Sequence, residues 1–258
     1  MQNFLQELIV GNVFAFMLIF MRLGIALMIM PGIGDSFVSP TVRLLFALAL
    51  SFVLTPVLAK NLPPLPDNTA VLLALLVSEA FIGLFMGVVM RILVSALDTA
   101  GSIVSMQAGL SASLLFNPTT QAQGSIMSAV YSSLGVTIML MTDLHHAMFA
   151  AVVESYQLYP ANAALLDTGA VLKTIAQVAD VAFRVGVQIA FPFIIAGTLA
   201  QIGFGVLSRL MPQAQIFFLT IPAQIMMSFL LLAMTLSAGI LFWLDAYDTT
   251  MFKTLSIR

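Results

Sequence analysis

The chain has 258 residues, of which 61% are hydrophobic and 8% charged, with a formal net charge of −2 and no cysteine. A soluble domain carries about 25% charged residues, and nine basic plus eleven acidic side chains cannot cover the outside of a soluble fold of this length. The composition is that of a membrane protein; it excludes disulfides, thiolate metal sites and cysteine nucleophiles, and the lack of any basic run argues against nucleic acid.

In chain order, six apolar segments stand out, at about residues 4–30, 42–59, 71–97, 126–141, 178–200 and 216–244. Each approaches or exceeds the ~20 residues that a helix needs to cross hydrocarbon. The prediction is an all-α chain of six apolar, membrane-associated helices, some of them broken, forming a single domain over residues 1–258. The first segment has no basic stretch before it and no small-residue cleavage site after it, so it is expected to stay in the mature protein. The breaks fall at PGIGD (31–35), NLPPLPDN (61–68), FNPTTQ (116–121), YPAN (159–162) and SRLMPQ (208–213), each rich in helix-ending residues.

Arg22, Glu79, Arg91 and Arg184 lie inside these apolar runs. A charge at the middle of a membrane helix costs roughly 2.5–3.5 kcal/mol on insertion scales, so such groups face protein or water. Asp180 and Arg184 have the i,i+4 spacing of a pair on one helix face. Arg22 has no acid three or four residues away, and its partner must come from another helix or another chain. The basic residues divide five against four between the two sides of a six-span topology and assign no orientation.

Small residues recur every four positions at Gly101, Ser105, Gly109 and Ser113, at Gly83 and Gly87, and at Gly124, Ser128 and Ser132. Faces of this kind let helices approach backbone to backbone, within one bundle or against other subunits.

No catalytic constellation is present. His145 and His146 are adjacent in DLHHAMF, so their side chains are expected to diverge by about 100° on a helix and to serve as hydrogen-bonding groups at a helix end, not as an i,i+4 metal pair. No HExxH or Walker motif occurs, GLSA at 109–112 lacks the second glycine of a GxSG protease motif, and no cofactor or metal site is expected. A self-contained small-molecule transporter would tolerate broken helices and interior charges, but the two halves carry no matched interruption.

The stretch QIGFGVLSRLMPQAQIFFLTIPAQ, residues 201–224, resembles the signature of the FliR family, called SctT in virulence-associated injectisomes. Gly205, Arg209, Pro212, Gln213, Phe217 and Pro222 occupy the matching positions, while Gln201 stands where asparagine is usual, Gln215 where asparagine is common, and Thr220-Ile221 replace Gly-Phe. Arg22 followed by Pro31-Gly32, Pro40 with Arg43, MQAGLSASLLFNPTT and HH…SYQLYP also look like that family in order and spacing.

The resemblance implies a core structural subunit of the flagellar type III export gate, not an enzyme. FliR-like chains are similar to FliP and FliQ fused, and they join copies of both in a helical assembly at the bacterial inner membrane, within the flagellar basal body. FlhB wraps its base, and unfolded flagellar subunits pass through its centre. Helices largely lifted out of the bilayer would face other subunits in place of lipid, with Arg22, Glu79 and the signature residues as structural or subunit contacts. The loop corresponding to residues 106–122 is implied to plug the closed pore, with Met106, Leu110, Leu114, Leu115 and Phe116 as its apolar body and Gly101, Gly109 and Pro118 as its bends. Seventeen methionines suit a lining that must adapt to many passing chains. Asn117-Pro118-Thr119 resembles the autocleavage site of FlhB, but Thr120 replaces its histidine, and no self-cleavage is expected.

Overall fold

A computed structural model of the chain describes residues 2–110, 125–161, 167–211 and 216–255, with side chains described from residue 11 onward and, in the last helix, from residue 220. Among these residues there is no strand. The helices are α1 Gln2–Ile29, α2 Pro40–Leu58, α3 Thr69–Gln107, α4 Ile126–Met141, α5 Leu144–Leu158, α6 Thr168–Leu210 and α7 Ile216–Leu255, with a 3₁₀ turn, Ala59–Asn61, after α2.

Five helices are long and apolar enough to cross a membrane, and α4 with α5 makes a sixth span if the pair, bent by 75°, is taken as one. The predicted all-α class and segment count therefore hold, with two differences. The fourth segment ends as expected at Met141, but a separate helix follows it, whose His145, His146, Glu154, Ser155 and Gln157 hid it from an apolarity scan. Helices α3, α6 and α7 also overrun their apolar cores, reaching 39, 43 and 40 residues. At about 1.5 Å per residue these measure roughly 58–65 Å, about twice the ~30 Å hydrocarbon layer.

Local chemistry sets several ends. Ser39 caps α2, its hydroxyl accepting from the Val42 N–H at 3.4 Å, and Pro40 follows at the first helical position, where no N–H is needed. PGIGD forms the turn after α1: Gly32 takes φ +85°, and its N–H donates to Asp35 Oδ2 at 2.8 Å. Helix α6 ends at Leu210, inside the expected SRLMPQ break, whose Pro212 and Gln213 fall outside the described residues, as does FNPTTQ.

The chain packs as two compact units. The first comprises Met1–Ile92, Met139–Val178 and Thr250–Arg258; the second comprises Leu93–Ile138 and Ala179–Thr249. In the first, Ile19, Leu58 and Tyr156 form a buried cluster to which Leu54, Leu62 and Val153 add. In the second, Trp243 is buried and donates its indole N–H to the Leu93 carbonyl at 3.0 Å, which satisfies the one polar atom of the largest side chain in the chain.

The small-residue faces serve contacts inside each unit. A Cβ on Gly83 would strike the Arg22 carbonyl, and one on Gly87 would meet Ile29 at 2.9 Å. A Cβ on Gly101 would stand 2.5 Å from the Ser128 nitrogen. Around that approach Ser102 and Ser128 share a 2.8 Å hydroxyl hydrogen bond, and Ser128 also donates to the Asp98 carbonyl at 2.8 Å. Gly101 thus lies inside α3, where it lets α4 approach closely, and is not the bend expected of it.

Candidate functional site

Arg22 organises the first unit. It and Glu79 are both fully buried. The guanidinium grips the carboxylate with two hydrogen bonds, Nε to Oε2 at 2.6 Å and Nη2 to Oε1 at 2.9 Å. Nη1 donates to Ser155 Oγ at 3.0 Å, Nη2 also donates to the Tyr159 carbonyl at 2.8 Å, and the Tyr156 ring lies 3.8 Å from the guanidinium carbon. A buried charge pair is tolerated when its geometry is good and its other donors find partners; here the carboxylate is held at two points, and four of the five guanidinium N–H groups donate to Glu79, Ser155 or Tyr159. The expected partner from another helix is Glu79 of α3. Gly83, one turn further along α3, supplies the close approach to α1 that brings the two groups together. The part played by SYQLY at the end of α5 was not anticipated; its signal was a serine and two tyrosines at i, i+1 and i+4.

Arg43 and Arg91 both close on the PGIGD turn. Arg43 donates to the Asp35 carbonyl at 2.6 Å and the Val38 carbonyl at 2.7 Å, and Arg91 pairs with the Asp35 carboxylate. Arg22 is thus solvated by the protein itself, while Arg91, half exposed, is paired but not enclosed.

The second unit holds the approach to the predicted plug. Helix α3 ends at Gln107, and Gly109 follows with φ +72°, a left-handed conformation that favours glycine and turns the chain there. Gln224 of α7 is buried and donates its amide to the Gln107 carbonyl at 2.7 Å. A Cβ on Gly109 would stand 3.2 Å from Gln224 Oε1. On the other side, Gly197 of α6 leaves room for the Gln107 side chain. Three helices therefore anchor the residue before the loop. Of the plug candidates, Met106 is exposed and Leu110 lines a water-sized apolar cavity with Val104, Met127 and Phe229. Leu114, Leu115, Phe116 and Pro118 lie outside the described residues.

The signature region divides likewise. From 201 to 211 every residue except Phe204 is exposed, and Gly203 and Gly205 have nothing within 4 Å of a built Cβ. Arg209 makes no hydrogen bond or ion pair among the described residues. Pro222 is exposed in α7, Phe217 lies in the first turn of that helix, and Pro212 and Gln213 fall outside the described residues. Arg184 and Asp180 pair at 2.8 Å as expected, on an exposed face.

Residues 13–250 match the family model described as Bacterial export proteins, family 1. The chain belongs to this family. Its relatives within the export proteins include the flagellar biosynthetic protein FliR of Caulobacter vibrioides, 36% identical over 92% of this chain and 94% of that protein. Those of Bacillus subtilis and Escherichia coli are each 25% identical, over 86% and 79% of this chain and 86% and 77% of the relatives. The chain is therefore a flagellar export apparatus protein of the FliR type, with helices suited to a membrane.

Proposed function

We propose that the chain builds, with FliP and FliQ, the gate of the flagellar type III export apparatus in the bacterial inner membrane, at the flagellar basal body. FlhB contacts its base, and unfolded flagellar subunits are the cargo. The observation that carries this reading is the 36% identity to a FliR protein over 92% of the chain. The family match runs through both compact units, from residue 13 to 250, which supports one functional domain. The role is structural: the chain shapes and seals a passage and performs no chemistry on the cargo.

Within that gate, Met106, Gly109 and Leu110 begin the plug, continued by Leu114, Leu115, Phe116 and Pro118. The Gln107–Gln224 hydrogen bond supports this reading, because a loop that seals ions needs a fixed root. Gly205, Arg209, Pro212, Gln213, Phe217 and Pro222 form a subunit contact, supported by the bareness of α6 from 201 to 211. Arg22 and Glu79 act one step back, holding the first unit together.

Co-expression with FliP and FliQ of the same organism tests the reading: a single stable complex containing this chain is expected. A chain that purifies alone as a stable monomer holding a solute would instead make it a small-molecule transporter. Removing residues 110–116 should raise ion leakage through the assembled gate, and unchanged conductance would refute the plug. The flagellar names of the relatives favour this system over an injectisome; loss of swimming on deleting the gene separates the two.

A further inference from the structure

The turn between α4 and α5 gathers three side chains that no part of the export reading uses. Asp143, His145 and His146 each present a ligand atom, and these atoms lie within 4.8 Å of one another. The two imidazoles do not diverge as the helical spacing predicts: their ring centroids are 4.1 Å apart. They stand in the first turn of α5, where Cα–Cβ bonds tilt toward the helix N-terminus and no preceding turn blocks them, so the two rings are free to swing together.

Two further observations bear on a ligand. Asp143 occupies the position before α5 with φ +59°, yet its carboxylate makes no capping hydrogen bond to the helix. A carboxylate there ordinarily takes the orphan N–H groups of the first turn; this one instead approaches His146 Nδ1, at 3.5 Å. The Nδ1 of His145 is buried and has no partner among the described residues. The expected hydrogen bond at the helix end is absent for that atom, and a buried ring nitrogen without a partner calls for an unseen water or ion. Behind it, Phe149 meets the His145 ring edge-on, 6.2 Å between centroids, and closes one side with an apolar wall.

We propose that Asp143, His145 and His146 bind a divalent transition-metal cation of the zinc class at the α4–α5 bend. Two imidazoles with one carboxylate suit zinc and its neighbours and are a poor set for calcium or magnesium, which take oxygen ligands. Zinc bonds of about 2.0–2.2 Å put two ligands on one ion no more than about 4.4 Å apart, so the observed cluster closes on an ion with small rotations of the exposed Asp143 and His146. Water completes the fourth position. The ion would tie the residue before α5 to the first turn of that helix and so stiffen the 75° bend.

The test uses the full chain in detergent, stripped with a chelator and titrated with zinc by calorimetry, then with Co²⁺, whose visible ligand-field bands report the donor set. About one ion per chain is expected. Asp143→Asn and His146→Ala alter exposed side chains and should leave folding intact, as judged by elution profile and helical content without metal. Each should weaken binding at least about tenfold, the lower end of what even an outer-sphere partner contributes to a metal site. No binding by the intact chain would overturn the proposal, as would binding of equal affinity in both variants. Neither outcome bears on export, since co-purification with the gate is read separately.

Discussion

Two arginine–carboxylate pairs sit in apolar helices of this chain and have opposite surroundings. Arg22 and Glu79 are 0% exposed, and the Ser155 hydroxyl and the Tyr159 carbonyl accept further hydrogen bonds from the guanidinium. Arg184 and Asp180 also form a hydrogen-bonded pair, at 2.8 Å on one helix, with side chains 66% and 63% exposed. The first pair is solvated by its own unit. The second, on a face that also carries Phe183, Phe191 and Leu199 in the open, would be poorly placed in lipid tails. The same contrast runs through whole helices: half of the most apolar window of α1 is buried, against 11% for α7. The contrast belongs to particular surfaces, finished or unfinished, and not to whole units: α2 in the first unit is only 22% buried over its apolar window and exposes Phe52 and Val53, so both units carry apolar surface that something else must cover.

The contrast is broken hardest at Arg22. Arg22→Ala leaves Glu79 buried without a partner and should lower stability by about 3–5 kcal/mol, read as a large fall in the thermal aggregation temperature in detergent. Replacing both, Arg22→Met with Glu79→Leu, should recover much of that loss, since apolar substitution of a complete buried pair is often neutral. A double variant as unstable as the single one would show that the pair does more than neutralise itself.

The glycines give the next largest effects. Gly101→Val drives side-chain atoms into the Ser128 backbone and should cost about 1–3 kcal/mol. Gly203→Leu meets open space, so the chain alone should be no less stable, while its yield in a complex with FliP and FliQ should fall. Equal behaviour of the two variants in the isolated chain would remove the distinction between finished and unfinished surface.

At Gln224, alanine deletes one hydrogen bond to Gln107 and should cost about 1 kcal/mol of stability. The sharper readout is ion leakage through the assembled gate, which should rise as the root of the plug loosens. Smallest is Asp180→Ala, where an exposed i,i+4 pair contributes about 0.3–0.5 kcal/mol, so any marked loss must appear in assembly.

What could be read from the sequence follows the same line. Helix positions, the Asp180–Arg184 pair and the need for a distant partner for Arg22 all rest on local spacing and on the cost of a charge among apolar neighbours. Glu79 as that partner was not legible, because 57 residues separate the two and only folding brings them together. Helix α5 was missed because its polar residues, His145, His146, Glu154, Ser155 and Gln157, dilute its apolarity. The histidines were misjudged because helical spacing fixes where a Cβ starts and not where a first-turn ring can swing. Gly101 was taken for a bend because glycine serves both tight packing and turning, and only the neighbouring backbone of Ser128 tells which. The signature was legible as a pattern, and the bare surface of its first part, residues 201–211, adds a physical reason for it: those residues do little for the fold around them.

The most direct test of that last point is a photo-crosslinking side chain placed at exposed Val206 in cells assembling flagella. If the end of α6 is a subunit contact, illumination should join this chain to another export-gate protein in one discrete adduct. Adducts with lipid alone would contradict the account.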